Sequence, residues 1–328
     1  MFSKYIFNIQ AFAGVINTTT SASEGNKLTD EIKTYYSDYL IDIAEGELVH
    51  DQFGQKRPIP EGKGRTIEFR KWTPLAKVTE ELQEGVTPDG QALDMSVLTA
   101  YPKQYGGYVI VSDLLDLTAI DNVKTEATQL IGSQAGRSLD TVVREILNGG
   151  TNVQYHEGER ASRSAITADD IMTVKCIANA VRTLKRANAK KIDGNYVAII
   201  HPDVAYDLMS DSAWKDWHQY VTPENKYNGE IGMIDGVRFV ETTEAKIFEG
   251  AGPSGADLYS TLVLAKDAYG VTELEGGGLQ LYIKNAGSAG TADPIDQRST
   301  VGWKATRTAE RLVEDYMVRI ETACSYSA

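Results

Sequence analysis

From Asp113 to Leu147 apolar residues recur at three- and four-residue steps: Ile120, Val123, Ala127, Leu130, Ile131, Leu139, Val142, Val143, Ile146 and Leu147. That spacing predicts one long amphipathic helix, capped by Ser112 or Asp113 and stopped by Asn148-Gly149-Gly150. At 1.5 Å per residue it would run about 50 Å. Gly132 and Gly136 are its weak points, each costing about 1 kcal/mol relative to Ala, and mark where it would kink.

The residues before this helix read as peripheral. Thr18-Thr19-Thr20-Ser21-Ala22-Ser23 is polar. A short helix is predicted over residues 28–48, capped by Thr29 or Asp30, with Ile32, Tyr35, Tyr36, Tyr39, Leu40 and Ile43 as a docking stripe. After the turn cluster Pro58-Ile59-Pro60-Glu61-Gly62, a strand runs over 65–72, with Ile67 and Phe69 alternating with Glu68 and Arg70. A turn at Thr87-Pro88-Asp89-Gly90 leads to a return strand over 94–100. Between them, residues 77–92 carry Glu80, Glu81, Glu84 and Asp89 and few large apolar side chains. Such a segment cannot fill a core. It reads as a long hairpin whose polar tip is ordered only by resting on a neighbour.

A polar loop over 151–164 closes the first half. Thr167-Ala168-Asp169-Asp170 has the form of a capping box, with Ile171, Val174, Ile177, Ala178, Val181 and Leu184 following at helical spacing. Tyr196-Val197-Ala198-Ile199-Ile200 predicts a buried strand, and His201-Pro202-Asp203 turns into another helix. Further strands are predicted over 237–241, 260–265 and 279–284, with glycine-rich loops between. Alternating helices and strands make this a compact α/β unit. After Pro294 the period changes. Tyr316, Val318 and Ile320 alternate with Met317, Arg319 and Glu321, the signal of an antiparallel strand buried on one face, and a strand over 300–307 is its expected partner. The α/β unit is then an insertion between two parts of the first unit.

Composition excludes several function classes. A chain of 328 residues makes about two domains. Its formal net charge of −13 argues against gripping phosphate backbones, which needs clustered Lys and Arg. The short basic run Lys185, Arg186, Lys190 and Lys191 falls where a helix C-terminus favours cations. Cys176 and Cys324 form no disulfide framework and no metal spacing, which fits a reducing cytoplasm and buried apolar roles. There is no apolar run long enough for a membrane helix, and Asn8 and Gln10 interrupt a weak mimic of a signal peptide near Lys4.

Catalytic patterns are missing as well. His50, His156, His201 and His218 show no zinc-site spacing, and His201 reads as a turn residue. No nucleophile elbow, phosphate loop or calcium loop occurs, and Gly276-Gly277-Gly278 lacks the following helix of a dinucleotide site. No catalytic, cofactor-binding or metal-binding residue is nominated. Seventeen tyrosines against seven phenylalanines favour half-wet surfaces such as subunit contacts. Trp214, Trp217, His218 and Tyr220 form an aromatic cluster that reads as local packing.

Three stretches carry a resemblance: residues 196–210; Gly232-Met233-Ile234-Asp235-Gly236-Val237-Arg238-Phe239-Val240-Glu241 and its flanks; and Asp293-Pro294-Ile295-Asp296-Gln297-Arg298 through Glu321. In these the chain resembles the major capsid proteins of tailed bacteriophages, in the branch typified by the coliphage N-four. The resemblance implies an α+β fold of the Hong Kong 97 type. It would divide the chain into an N-arm (1–64), an extended E-loop hairpin (65–111), a peripheral domain with its spine helix (112–165), an inserted axial α/β domain (166–294) and returning peripheral strands (295–328).

The same resemblance implies a non-enzymatic shell protein without a cofactor. Copies would form hexamers and pentamers of an icosahedral head around double-stranded DNA, bound without sequence specificity. Scaffold, portal and decoration proteins are its implied partners. The implied location is the virion, assembled in the bacterial host cytoplasm, with no membrane partner. Two alternatives stand beside it: an encapsulin-like shell around protein cargo, and a soluble α/β enzyme using a cleft near His201.

Overall fold

The structure is a computed structural model. It describes residues 40–41, 43–44, 47–60, 62, 64, 66–73, 75–79, 81, 85, 87, 89–119, 123–218, 232–288, 290 and 293–326. Two sheets share one long helix between them. The first has β13 (Arg298–Arg311) at its centre. Along one side lies antiparallel β4 (Lys103–Ser112), in register from Arg298↔Ser112 to Arg307↔Lys103. Along the other lie β12 (Gln280–Lys284) and β11 (Tyr269–Glu273), and β1 (Gln55–Lys56) adds to β11 in parallel. The second sheet has seven strands: β5 (Val153–Tyr155), β14 (Met317–Thr322), β10 (Leu258–Leu264), β6 (Tyr196–Ile200), β8 (Val237–Glu241) and β7 (Met233–Ile234) in that order, with β9 (Ile247–Phe248) on β10. A separate hairpin pairs β2 (Ile67–Trp72) with β3 (Met95–Ala100).

The long helix spans Val123–Asn148, about 39 Å at 1.5 Å per residue. The expected single helix from Asp113 is therefore broken. A short helix, Asp113–Thr118, is capped by the Ser112 hydroxyl on the Leu115 N–H and ends at Ala119, whose backbone turns extended (ψ 140°). Hydrophobic periodicity ran through the break because the residues on both sides are apolar. Gly132 and Gly136 lie inside the continuous helix. Their role is close approach: a Cβ on Gly136 would stand 2.6 Å from the Ala44 carbonyl oxygen, and one on Gly132 would stand 3.2 Å from that of Leu40. Leu40, Ile41, Ile43, Ala44 and Glu47 are helical, in line with the expected N-terminal helix; Leu48 lies just past its end, and residues 28–39, 42, 45 and 46 lie outside those described.

Among the described residues, the three larger apolar clusters follow from this layout. Ile131, Ala135 and Leu139 pack against Val301, Trp303 and Ala305 of β13, with Leu40 closing the far side. One turn on, Val143 and Leu147 meet Tyr269, Val271 and Ala309 from the first sheet and Ile199, Leu262 and Met317 from the second, so the helix joins both sheets. Each such buried Leu or Val contributes about 1.5–3 kcal/mol. The third cluster fills the space between β6, β8, β10 and β14 and the helices Val174–Arg186 and Pro202–Ser210, and includes Cys176 and Cys324.

Three local expectations are corrected. The strand at 300–307 does not pair with the last strand. It belongs to the longer β13, while β14 pairs with β10 and with β5. Nor is β14 buried on one face: all six of its residues are buried. Arg319 and Glu321 are tolerated there because they neutralise each other, with Arg319 Nε 2.9 Å from Glu321 Oε1. Likewise Thr167 does not start a helix. The Asp170 carboxylate accepts from the Thr167 N–H (2.7 Å) and from both Arg160 donors (2.9 Å each). The helix begins later, at Val174, with Thr173 as its cap.

Candidate assembly surfaces

The β2–β3 hairpin is anchored at its base. Phe69 and Ala100 are buried, and the Phe69 ring covers Gly270 of β11, where a Cβ would stand 2.5 Å from the ring. Beyond that anchor none of the described hairpin residues from Arg70 to Leu98 is buried. Trp72, Leu75, Val78, Leu93, Val97 and Leu98 are all exposed. Large apolar side chains left in water on a protruding two-stranded element mark a surface made to be covered.

A second apolar surface lies at the open edge of the first sheet. Among the described residues β4 pairs with β13 alone. Tyr108, Val109 and Ile110 on it are exposed, and the row continues onto the short helix through Leu114 and Leu117, the last 82% exposed. Ile295, also exposed, lies close by, since the Asp113 N–H donates to the Gln297 carbonyl (3.0 Å). On the outward sheet face Tyr108 and Tyr282 flank Gly302 in cross-strand register, and Lys304 Nζ sits 5.2 Å from the Tyr282 ring centroid. Unpaired strand edges with apolar neighbours are templates for another chain.

The cleft near His201 has a structural occupation. His201 Nδ1 accepts from the Asp203 N–H (3.2 Å), capping the helix Pro202–Ser210, and the ring packs on Tyr259 (centroids 5.0 Å apart). Burial, opposed by the Asp203 charge, shifts the His201 imidazole down. Burial, together with Asp203, pushes the Tyr259 phenol up to about 12, and its hydroxyl donates to Asp203 Oδ2 (3.2 Å). Of the aromatic cluster, Trp214 is buried edge-on against Phe239 (5.5 Å between centroids). The side chains of Trp217 and His218, and all of Tyr220, lie outside the described residues. Lys185 and Arg186 do occupy a helix end, the last turn of Val174–Arg186. Gly276 to Gly278 lead from β11 into β12, a strand. Among the described residues no helix is long and apolar enough to cross a membrane.

Two sheets joined by one long helix, with a projecting hairpin, is an architecture that invites comparison with shell proteins. The profile of a family described as phage capsid protein matches residues 104–279, more than half of the chain. The chain belongs to that family. Its fold is also similar to solved capsids, and these likenesses speak to fold alone. The capsid of cyanophage Pam1 aligns with a TM-score of 0.65 at 15% identity, over 81% of this chain and 87% of that one. The capsid of Ralstonia phage GP4 aligns at 0.64 and 14% identity, over 83% and 87%. A virus-like particle from Pyrococcus furiosus aligns at 0.52 and 12% identity, over 88% and 99%. No curated protein matches.

The capsid protein is thus α+β with a Hong Kong 97-type fold, the major capsid protein of a phage head and a component of the virion. Its functional surfaces are those that meet other copies. The sequence pattern pointed to the hairpin but not to the β4 edge. In sequence, Tyr108 through Leu117 carries the same apolar content as a core strand and helix start, and only the fold shows that Tyr108, Val109, Ile110, Leu114 and Leu117 are exposed while Val111 is buried.

Proposed function

We propose that the capsid protein acts as a structural building block rather than a catalyst, forming hexamers and pentamers that close into an icosahedral head around double-stranded DNA. The exposed apolar side chains of the hairpin from Trp72 to Leu98 support this reading most directly: no described residue of the same chain covers them, and the next copy would. The 1–64 and 65–111 segments act as the arm and hairpin laid across neighbours, 112–165 and 295–328 as the peripheral domain, and 166–294 as the inserted axial domain. The motifs in residues 229–243 and 293–321 support placement in the N-four branch. Assembly takes place in the host cytoplasm, with a separate scaffold, a portal and decoration proteins as partners. The net charge of −13 supports a wall that holds DNA without trapping it.

The test is negative-stain electron microscopy with light scattering on the wild-type chain and on a variant lacking residues 77–92, each with and without scaffold. The wild type forms shells, tubes or rings. The shortened chain keeps its circular dichroism spectrum and assembles poorly. Normal shells from the shortened chain would overturn the role given to the hairpin. A wild type that stays monomeric at high concentration with scaffold would overturn assembly itself.

A further inference from the structure

The turn after β5 and the start of the helix Val174–Arg186 bring three metal-ligating side chains together. His156, Glu157 and Cys176 each present one donor atom, and these atoms all lie within 4.8 Å of one another. We propose that they bind a single Zn2+ ion, which clamps the β5 turn to that helix. The donor set is the first reason. Thiolate, imidazole and carboxylate are the ligands zinc takes in tetrahedral sites, at about 2.0–2.3 Å, whereas calcium and magnesium prefer all-oxygen sites. Bond lengths of that size put tetrahedral donors about 3.3–3.8 Å apart. The required contraction is about 1 Å or a little more. His156 and Glu157 can supply it by side-chain rotation, because both are only partly buried, while Cys176 forms the floor of the site. A water would take the fourth position and complete the tetrahedron.

Preorganisation is the second reason. The His156 N–H donates to the Glu321 carbonyl (2.8 Å). Gln154 Nε2 donates to both the His156 carbonyl (2.8 Å) and the Cys176 carbonyl (2.9 Å), tying two ligand backbones to one side chain. Asn179 Nδ2 holds the Glu157 carbonyl (2.8 Å). Around the donors, Thr173 Oγ1 donates to Glu157 Oε1 (2.9 Å) and lies 3.3 Å from Cys176 Sγ, and Asp170 Oδ1 stands 3.7 Å from His156 Nδ1. Outer partners of this kind orient ligands in metal sites. His156 also holds φ +49°, uncommon for a residue with a side chain. Lys175 pairs with Glu157 and extends into solvent, so it can swing away as the ion arrives.

Binding forms the Zn–S, Zn–N and Zn–O bonds. The aqueous ion sheds the waters these replace, and the Cys176 thiol proton goes to solvent. The test uses Co2+ as a spectroscopic probe on the purified full chain. One equivalent should give the near-ultraviolet sulfur-to-cobalt charge-transfer band and the visible bands of a tetrahedral site, and Zn2+ should abolish both. Cys324 is the other thiol, so Cys324→Ser keeps the bands and Cys176→Ser loses the charge-transfer band. His156→Asn, which tolerates positive φ, leaves the circular dichroism unchanged and weakens Co2+ binding by more than the ~10–100-fold that loss of an outer-shell partner costs. The proposal fails if excess Co2+ gives no charge-transfer band in the wild type, if the band survives Cys176→Ser, or if folded His156→Asn binds Co2+ as tightly as the wild type.

Discussion

Leu117 offers a direct way to separate folding from assembly. It is 82% exposed on the short helix Asp113–Thr118, so the isolated subunit gains almost nothing from its three terminal carbons. Replacing it with Ala should change subunit stability by no more than about 0.5 kcal/mol, the usual range for a surface site. If a neighbouring copy covers it, the same change removes three buried carbons at about 0.8 kcal/mol each, roughly 2 kcal/mol per contact after incomplete burial. That weakens each contact about 30-fold. The subunit concentration at which scattering rises should therefore shift upward by about that factor in Leu117→Ala. Leu117→Glu, which would bury a charge, should not assemble at all. Light scattering against concentration, with circular dichroism as a folding control, reads both. Assembly thresholds within about 3-fold of wild type for both variants, less than 1 kcal/mol, would refute the assignment of this edge as an interface.

Three further outcomes follow from the core. Glu321 is wholly buried, takes two Arg163 donors at 2.6 and 2.7 Å and neutralises the buried Arg319, so Glu321→Ala should lower stability to urea by about 3–5 kcal/mol: Arg163 can rehydrate, but Arg319 is left buried without its counter-charge. A loss under about 1 kcal/mol would contradict the pairing. Gly136→Leu should drive the segment at Ala44 off the long helix, costing about 1–3 kcal/mol despite the better helix former, with faster hydrogen exchange over residues 40–48 as its signature. Burial, only partly opposed by Arg311, raises the Glu310 carboxyl above its usual range. A carboxyl raised on folding stabilises fully below its unfolded value near 4.5, and that contribution is lost as pH rises through the folded value. Glu310→Gln should therefore melt higher than wild type at pH ~7 and match it at pH ~4; equal melting at both would count against the shift.

Much of the element order was legible because it rests on local periods. The strand Ile67–Trp72, the buried strand Tyr196–Ile200 and the His201-Pro202 entry into a helix all follow from side-chain alternation and capping chemistry within a few residues. The failures share a different cause. Thr167 looks like a cap until Arg160, seven positions back, claims the Asp170 carboxylate. The alternation in β14 reads as one wet face until Arg163, from far upstream, reaches Glu321 and makes charge tolerable inside. Gly132 and Gly136 look like flaws in a helix until the segment at Leu40 and Ala44 crosses them. In each case a partner outside the local motif reversed the reading.

The assembly surfaces extend the same logic one level up. Tyr108 to Leu117 has the composition of an interior, yet Val111 alone of its large apolar side chains is buried. A pattern that predicts burial, set against described residues that leave those side chains in water, fits the cover by a neighbouring copy proposed above. The β2–β3 pairing was legible because two strand-like segments flank a polar stretch with a turn signal. The β4 edge was missed because its sequence announced nothing unusual. For a chain whose stability is completed by its neighbours, local pattern reports burial in the assembly rather than in the subunit. The apolar residues that the fold leaves exposed at Val109, Ile110, Leu114 and Leu117 are therefore the positions at which substitutions should spare the subunit and break the shell.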